Sequence, residues 1–231
     1  GPCMSILLLV AAPLSGWAAE TDRWNQWRGA NRDGKVTTQT WPNALNGKLN
    51  LVWERPHGPS YSGPIVHEDL VYTTETIDKQ IERVTAYDLA SGEERWSVQW
   101  PGAMKVPFFA ASNGSWIRAT PVCVEDHLLV LGIRDVLVSL NPETGAENWR
   151  MDFPQALESS MPAFVAASSP IVYGDGVIVQ TGGAVVRLAL NDGSLVWKTL
   201  ENGEGMMSSG AFSSPTIATL CGKRQLVVQT R

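Results

Sequence analysis

The sequence predicts an all-β protein, a β-propeller built from four-stranded blades. Two observations support this prediction: a repeated glycine and tryptophan at fixed separation, and short alternating stretches between turn-forming residues. The chain has 231 residues, of which 44% are hydrophobic and 18% charged. That is enough to bury a core, and it excludes a disordered chain. Ten Trp residues, with 21 Gly and 14 Pro scattered along the chain, are typical of many short strands.

Three segments end in the same pattern, with a glycine four residues before a tryptophan. The pairs are Gly92 and Trp96, Gly145 and Trp149, and Gly193 and Trp197. Successive glycines lie 53 and 48 residues apart. Upstream of each pair a proline opens a β-branched stretch, at a position where a strand tolerates a missing N–H. Four short strands in a unit of this length are typical of a propeller blade.

The glycine of each repeat is expected in a tight turn between the third and fourth strands. Asp or Asn would cap this turn through its side chain, and glycine supplies the positive φ. In the third repeat Asn191-Asp192-Gly193 predicts a shorter, two-residue hairpin. The tryptophan on the fourth strand would pack between neighbouring sheets. The residues of this structural repeat are Asp88, Gly92, Trp96, Asn141, Gly145, Trp149, Asn191, Gly193 and Trp197.

The repeats divide residues 20–231 into blades of one propeller domain. Three blades are expected near 61–100, 117–153 and 167–200, with a partial fourth blade at 212–231. Residues 49–53 are predicted to be a closing strand that completes the last blade of the ring. About half of a ring would then be present. We expect the sequence to be a fragment of a longer protein, because a half-ring leaves unpaired strands at both ends.

Residues 1–19 are predicted to be an export signal. The stretch from Ile6 to Leu14 is apolar, and Gly16 and Ala18 are the small residues that signal peptidase requires. No Lys or Arg precedes this stretch, and the alternative is a buried N-terminal strand. The stretch is too short to cross a bilayer, which needs about 20 residues. No other part of the sequence is predicted to be a transmembrane segment.

The repeat resembles that of the pyrroloquinoline quinone (PQQ) propeller family, Ala-x-Asp-x-x-Thr-Gly-x-x-x-Trp. The matching residues are Ala86, Asp88, Gly92 and Trp96 and, less fully, Asn141, Thr144, Gly145 and Trp149. Residues 24–34 also resemble the opening of exported bacterial PQQ-like repeat proteins that are similar to BamB. The resemblance covers residues 24–231 and implies a ring of seven or eight blades. It also implies a bacterial protein located in the periplasm or outside the cell.

The sequence offers no catalytic or metal-binding constellation. Its three cysteines are not adjacent, its three histidines form no triad, and most carboxylates fall in predicted turns. His67 and His127 are expected at exposed turn tips. A net charge of −5 without a basic run argues against nucleic acid as a partner. We expect no cofactor, but the resemblance leaves open a PQQ- and calcium-dependent quinoprotein dehydrogenase whose ligands lie elsewhere in the protein.

The long links between blades contain the candidate binding residues. Met and Phe recur on them, at Phe108, Phe109, Phe164 and Met206. Loops on a rigid scaffold are where binding residues collect, and Met with aromatic residues suits adaptable protein contact. The alternative is that these side chains pack inward over the blades.

A second group is expected at the mouth of the central channel. Tyr61, Arg118 and Phe212 precede their prolines by the same distance, and Trp116 lies close by. Arg118 could hold an anionic ligand or pair with a neighbouring carboxylate. The sequence thus predicts an exported, non-catalytic platform that binds another protein or a small ligand. A sugar or cell-wall binder is a third possibility.

Overall fold

The computed structural model describes residues 24–36, 44–47, 49–102, 104, 106–201 and 212–230, together with the backbone of residues 4–10. The first two strands are β1 (Met4–Val10) and β2 (Asn50–His57). The strands of the first blade are β3 (Ile65–His67), β4 (Leu70–Ile77), β5 (Ile81–Asp88) and β6 (Glu94–Pro101). The strands of the second blade are β7 (Val122–Val124), β8 (His127–Leu131), β9 (Val136–Leu140) and β10 (Glu147–Asp152).

The third blade repeats this arrangement, and two further strands follow it. Its strands are β11 (Ile171–Tyr173), β12 (Gly176–Gln180), β13 (Val185–Ala189) and β14 (Leu195–Thr199). The last pair is β15 (Thr216–Leu220) and β16 (Lys223–Val227). The links contain a 3₁₀ helix (Phe108–Asn113) and one short helix, α1 (Phe153–Ala156). In the described part of the chain, no helix has the length and apolarity needed to cross a membrane.

The three blades are four-stranded antiparallel meanders, which confirms the predicted all-β propeller of four-stranded blades. The short first strand β7 contacts β3 on one side and β11 on the other, so we place these first strands on the inner side of the ring. Burial falls from the inside outward: all of β12 is buried, whereas every residue of β14 is exposed or half-buried. The two large clusters of buried apolar side chains lie between blades, one joining the first blade to the second and one joining the second to the third.

A tryptophan from one sheet docks on the next blade at three successive positions. The indole Nε1 atoms of Trp53, Trp96 and Trp149 donate to the carbonyl oxygens of Leu89, Pro142 and Leu190, at 2.9, 2.8 and 2.8 Å. A glycine with a φ of 68–72° lies under each indole ring, at positions 92, 145 and 193. An ideal Cβ at these glycines would lie within 2.5–2.7 Å of the ring, so only glycine fits.

The turn of the third repeat is not the predicted two-residue hairpin. Ala189 N–H donates to Ser194 O at 2.9 Å, and Gly193 N–H donates to Ala189 O at 3.0 Å. These bonds enclose four residues, as in the first two repeats, where Asp88 and Asn141 make the corresponding bonds. Asn191 is therefore not equivalent to Asp88 and Asn141. The longer loop places the carbonyl that Trp149 requires, and the Asn-Asp-Gly sequence alone could not reveal this.

The N-terminal strands lie outside the three complete blades. β1 pairs with β2 in antiparallel register, from Met4 opposite His57 to Val10 opposite Asn50. β2 carries Trp53, which docks on the first blade in the way that Trp96 docks on the second. This docking is what a closing strand at 49–53 would do, and that assignment stays a prediction. The export signal also stays a prediction, because the pairing of Met4–Val10 with β2 does not show whether this segment is removed from the mature protein.

Candidate functional site: the edge that carries the interblade links

The meander gives each blade two different edges. The turn edge carries the β3–β4 and β5–β6 turns and their equivalents, and it is where the tryptophans dock. The link edge carries the β4–β5 hairpin, its equivalents, and the long links to the following blade. Loops at one edge of a rigid ring are positioned by the sheets below them, so the link edge is the candidate site.

Four phenylalanines from three successive links form one continuous aromatic surface, called here the Phe cluster. The ring centroids of Phe108 and Phe109 are 5.5 Å apart, those of Phe109 and Phe164 are 5.9 Å apart, and those of Phe164 and Phe212 are 6.1 Å apart. Phe108 is 90% exposed, Phe109 61% and Phe212 48%, whereas Phe164 is half-buried. The fold thus brings into contact four rings that lie on three separate links of the sequence.

Hydrogen bonds hold the links that carry these rings. The 3₁₀ helix with Phe108 and Phe109 ends at Gly114, whose N–H donates to Ala111 O at 3.1 Å. In the next link Val165 N–H closes a turn on Pro162 O, and Ala166 N–H donates to Ile133 O of the second blade, both at 3.1 Å. Backbone hydrogen bonds therefore hold the two links that carry Phe108, Phe109 and Phe164.

The residues predicted at the channel mouth divide into two groups. Tyr61, Trp116 and Arg118 lie together: the ring centroids of the first two are 5.3 Å apart, and the Arg118 guanidinium carbon is 4.8 Å from the Tyr61 centroid. Phe212 contacts Phe164 in the Phe cluster. Met206 lies outside the described residues. Arg118 Nη2 donates to Gly114 O at 3.0 Å, and among the described residues it forms no ion pair.

An N-terminal segment lies along the inner strands of the ring, which sequence reasoning did not predict. Trp24 O accepts from Val66 N–H of β3 at 2.9 Å, and Asn25 O accepts from Cys123 N–H of β7 at 2.8 Å. Arg32 donates to Pro170 O at 2.8 Å and Ser169 O at 3.2 Å, just before β11. Burial without a carboxylate partner lowers the pKa of Arg32 to about 10. The segment ties three blades together from the channel side.

Two buried carboxylates bridge neighbouring blades beneath the links, and sequence reasoning missed both. Glu82, 1% exposed, accepts from Trp100 Nε1–H at 2.9 Å and from Ile133 N–H of the second blade at 2.7 Å. Burial raises its pKa to about 6. Glu82 stands between Ile81 and Arg83 in an alternating strand, so nothing in the sequence marks it as buried.

Asp135 occupies the corresponding seam between the second and third blades. It is fully buried, and its Oδ2 accepts from Gly182 N–H of the third blade at 2.7 Å. Its Oδ1 is buried without a hydrogen-bond partner. Burial raises the pKa of Asp135 to about 7, and the nearby Asp152 carboxylate acts in the same direction.

The histidines do not form a site. His67 is 9% exposed, so its predicted position at an exposed turn tip is wrong. His127 is half-buried, with its Nδ1 2.9 Å from Ser139 Oγ. Within the described residues, no three His, Cys, Asp or Glu side chains group closely enough to hold a metal ion. The free cysteines Cys123 and Cys221 lie in different blades, one buried and one exposed.

A groove of about 390 Å³ lies between the third blade and the β15–β16 pair. Its lining includes Trp197, Ile217 and Leu226. Trp197 holds the same place in its repeat as the docked Trp96 and Trp149, so we assign this groove to the seam between blades.

These features define the class of protein: a β-propeller with tryptophan-docking repeats, interblade links gathered at one edge and a segment along its channel. The sequence matches the family described as outer membrane protein assembly factor BamB over residues 33–98 and 80–231. The chain belongs to this family of PQQ-like repeat propellers. No curated protein sequence matches it.

Solved structures share this fold. A europium-containing methanol dehydrogenase matches with a TM-score of 0.59 and 17% identity, over 82% of this chain and 34% of its own. A quinohemoprotein alcohol dehydrogenase from Comamonas testosteroni matches with a TM-score of 0.57 and 16% identity, over 79% of this chain and 28% of its own. BamB from Moraxella catarrhalis matches with a TM-score of 0.47 and 15% identity, over 64% of this chain and 39% of its own. The chain therefore spans between about a quarter and two fifths of these proteins.

Proposed function

We propose that this chain is part of an exported, non-catalytic propeller that binds another protein through the Phe cluster. The observation that supports the proposal is the contact of four phenylalanine rings from three links on an exposed edge. Three of these rings keep 48–90% of their surface in water. A contiguous exposed aromatic surface on a soluble domain is typical of an interaction site, since aromatic residues are enriched there.

The chemistry of the cluster favours an apolar segment of a protein over a small polar ligand. A partner side chain that enters between the rings would bury apolar area on both sides, at about 25 cal/mol per Å². The backbone hydrogen bonds of the first and second links would lower the entropy that binding costs. Membership of a family described as an assembly factor agrees with a protein partner. The apolar N-terminal stretch agrees with export to the periplasm or beyond.

The test is site-specific photo-cross-linking in the intact protein, expressed in the bacterium of origin. A photoreactive phenylalanine analogue replaces Phe108, and a matched variant carries it at Val196, which is 50% exposed on the outer strand β14. We expect a discrete cross-linked protein from position 108 and none from position 196. Equal cross-linking at both positions, or none at position 108, would overturn the proposal.

The alternative is a PQQ- and calcium-dependent dehydrogenase. When bound, PQQ would accept the electrons of an alcohol or sugar, and calcium would need carboxylate and amide oxygens around it. Among the described residues no three His, Cys, Asp or Glu side chains lie close enough together to hold a metal ion, so no calcium-binding residues are assigned here. Calorimetric titration of the intact protein with PQQ and Ca²⁺ decides between the two. Tight stoichiometric binding with alcohol-dependent dye reduction would establish the dehydrogenase and contradict the platform.

A further inference from the structure

The carboxylates of Glu82 and Asp135 lie directly under the links that carry the Phe cluster. Glu82 contacts the start of the first link, because an ideal Cβ on Gly102 would lie 2.3 Å from Glu82 Cγ. Glu82 Oε1 also holds Ile133 N–H, and the carbonyl of Ile133 in turn accepts Ala166 N–H, two residues after Phe164. Two hydrogen bonds therefore connect Glu82 with the second link.

Asp135 reaches the same link from the other side. Its Oδ2 holds Gly182 N–H, and Gly182 packs against Pro162, with an ideal Cβ 3.0 Å from Pro162 Cδ. The carbonyl of Asp135 accepts Phe153 N–H, at the start of α1 and of the second link, at 3.1 Å. Both ends of the segment that presents Phe164 are thus bonded to residues on these two seams.

Burial disfavours the negative charge of both carboxylates, and only Glu82 has cationic groups nearby that oppose this effect. No described ion pair includes either carboxylate. The charged groups that face Glu82 are Arg134 and Arg150, both of which favour its ionised form, and the group that faces Asp135 is Asp152, which disfavours ionisation. Ionised Asp135 would have one N–H donor and one oxygen without a partner, and burial of such a charge is costly.

We propose that Glu82 and Asp135 form a proton-sensitive latch that holds the interblade links closed in the protonated state and releases them when the carboxylates ionise. Opening of the seam would expose each carboxylate to water, where the charged form is stable. The sign follows from the burial of the two carboxylates, 1% exposed for Glu82 and 0% for Asp135, which makes the folded state bind protons more tightly than an open state. The stability of the seams is full below the ordinary carboxyl pKa near 4, and it falls as the pH rises to about 6 for Glu82 and 7 for Asp135.

The latch gives the Phe cluster a pH dependence, and this consequence rests on the proposed function. At mildly acidic pH the rings of the three links keep their contacts. Near pH 8 the second link opens more often, so Phe164 separates from Phe109 and Phe212 for a larger fraction of the time. Binding through the cluster would weaken over the same pH range.

The test is hydrogen exchange of the intact protein between pH 5 and 8, with rates corrected for the intrinsic pH dependence of exchange. We expect the protection of Gly182 to fall at least about tenfold over this range, and that of Ala166 to fall less, because each unit of pKa shift corresponds to tenfold in the opening equilibrium. Gly145 on the turn edge should keep its protection. A parent protein whose Gly182 protection does not change with pH would overturn the latch.

Two neutral variants and one control complete the test. Asp135→Asn retains an oxygen that can accept from Gly182, and we expect it to abolish most of the pH dependence. Glu82→Gln should remove the smaller part and also serves if the first variant fails to fold. Asp126→Asn, an exposed turn carboxylate, should leave the dependence unchanged. Unaltered pH dependence in both neutral variants would contradict the proposal. Because exchange needs no partner, this result is independent of the cross-linking at Phe108.

Discussion

The two edges of the blades are made by the same repeats, yet they differ in regularity. On the turn edge one contact recurs between three successive pairs of sheets, an indole N–H bonded to a carbonyl at 2.8–2.9 Å over a glycine with positive φ. On the link edge the three links differ in length and sequence, and each presents its own aromatic side chains. A contact that recurs at each of these sheet pairs stabilises the packing of the ring, whereas features that differ between blades can bind a particular partner.

Removal of a docked tryptophan should have the largest effect. Trp149 is 9% exposed, packs in the cluster between the second and third blades, and bonds to Leu190 O. We expect Trp149→Ala to lower the free energy of unfolding by about 3–5 kcal/mol. Urea unfolding followed by circular dichroism measures this. Trp149→Phe keeps most of the packing and should cost about 1–3 kcal/mol, because it leaves the carbonyl unpaired. Equal losses in the two variants would contradict the role of packing.

The glycines of the turn edge should follow in size. Gly145→Ala places a Cβ 2.7 Å from the Trp96 ring at a φ of 72°, so it meets both a steric and a conformational penalty. Gly174→Ala is the matched control, since its φ is 61° and no atom lies within 4 Å of an ideal Cβ. We expect the control to lose about 1–2 kcal/mol of unfolding free energy and Gly145→Ala to lose about 1–3 kcal/mol more. Equal unfolding midpoints would mean that the ring contact contributes nothing.

The smallest effect on stability should come from the Phe cluster. Phe108 is 90% exposed, so Phe108→Ala should change the free energy of unfolding by less than about 0.5 kcal/mol. The same urea experiment measures this, beside Leu195→Ala, a 44% exposed residue outside the cluster. A loss above about 2 kcal/mol would mean that Phe108 packs as core, and the difference between the two edges would disappear.

The sequence was sufficient for the blades because the proline, the turn and the tryptophan of each unit are local signals. It was not sufficient to predict the contacts that one repeat makes with the next. The carbonyl partner of Trp149 fixes the loop of Gly193 at four residues, whereas Asn191-Asp192-Gly193 alone favours a shorter turn. The indole ring that packs over each of these glycines leaves no room for a Cβ. This is a second reason why glycine is needed there, and the turn sequence does not reveal it.

The candidate site was predictable in composition but only partly in arrangement. Phe108, Phe109 and Phe164 stand out because apolar rings are unusual in links. Phe212 contacts Phe164 of another link, and its position before Pro215 does not reveal this contact. Glu82 and Asp135 lie among polar neighbours in sequence, and their burial results from contact with the following blade.

The central claim is that rings from separate links act as one binding surface, and cross-linking from position 108 in variants of the other links tests it most directly. Phe164→Ala and Phe212→Ala remove rings that lie on other links, and Leu195→Ala serves as the control. The account predicts that the yield of the cross-linked protein falls at least about fivefold in the two cluster variants, which is near 1 kcal/mol of lost binding, and stays unchanged in the control. An undiminished yield in both cluster variants would contradict it, because Phe108 would then bind its partner without the other links.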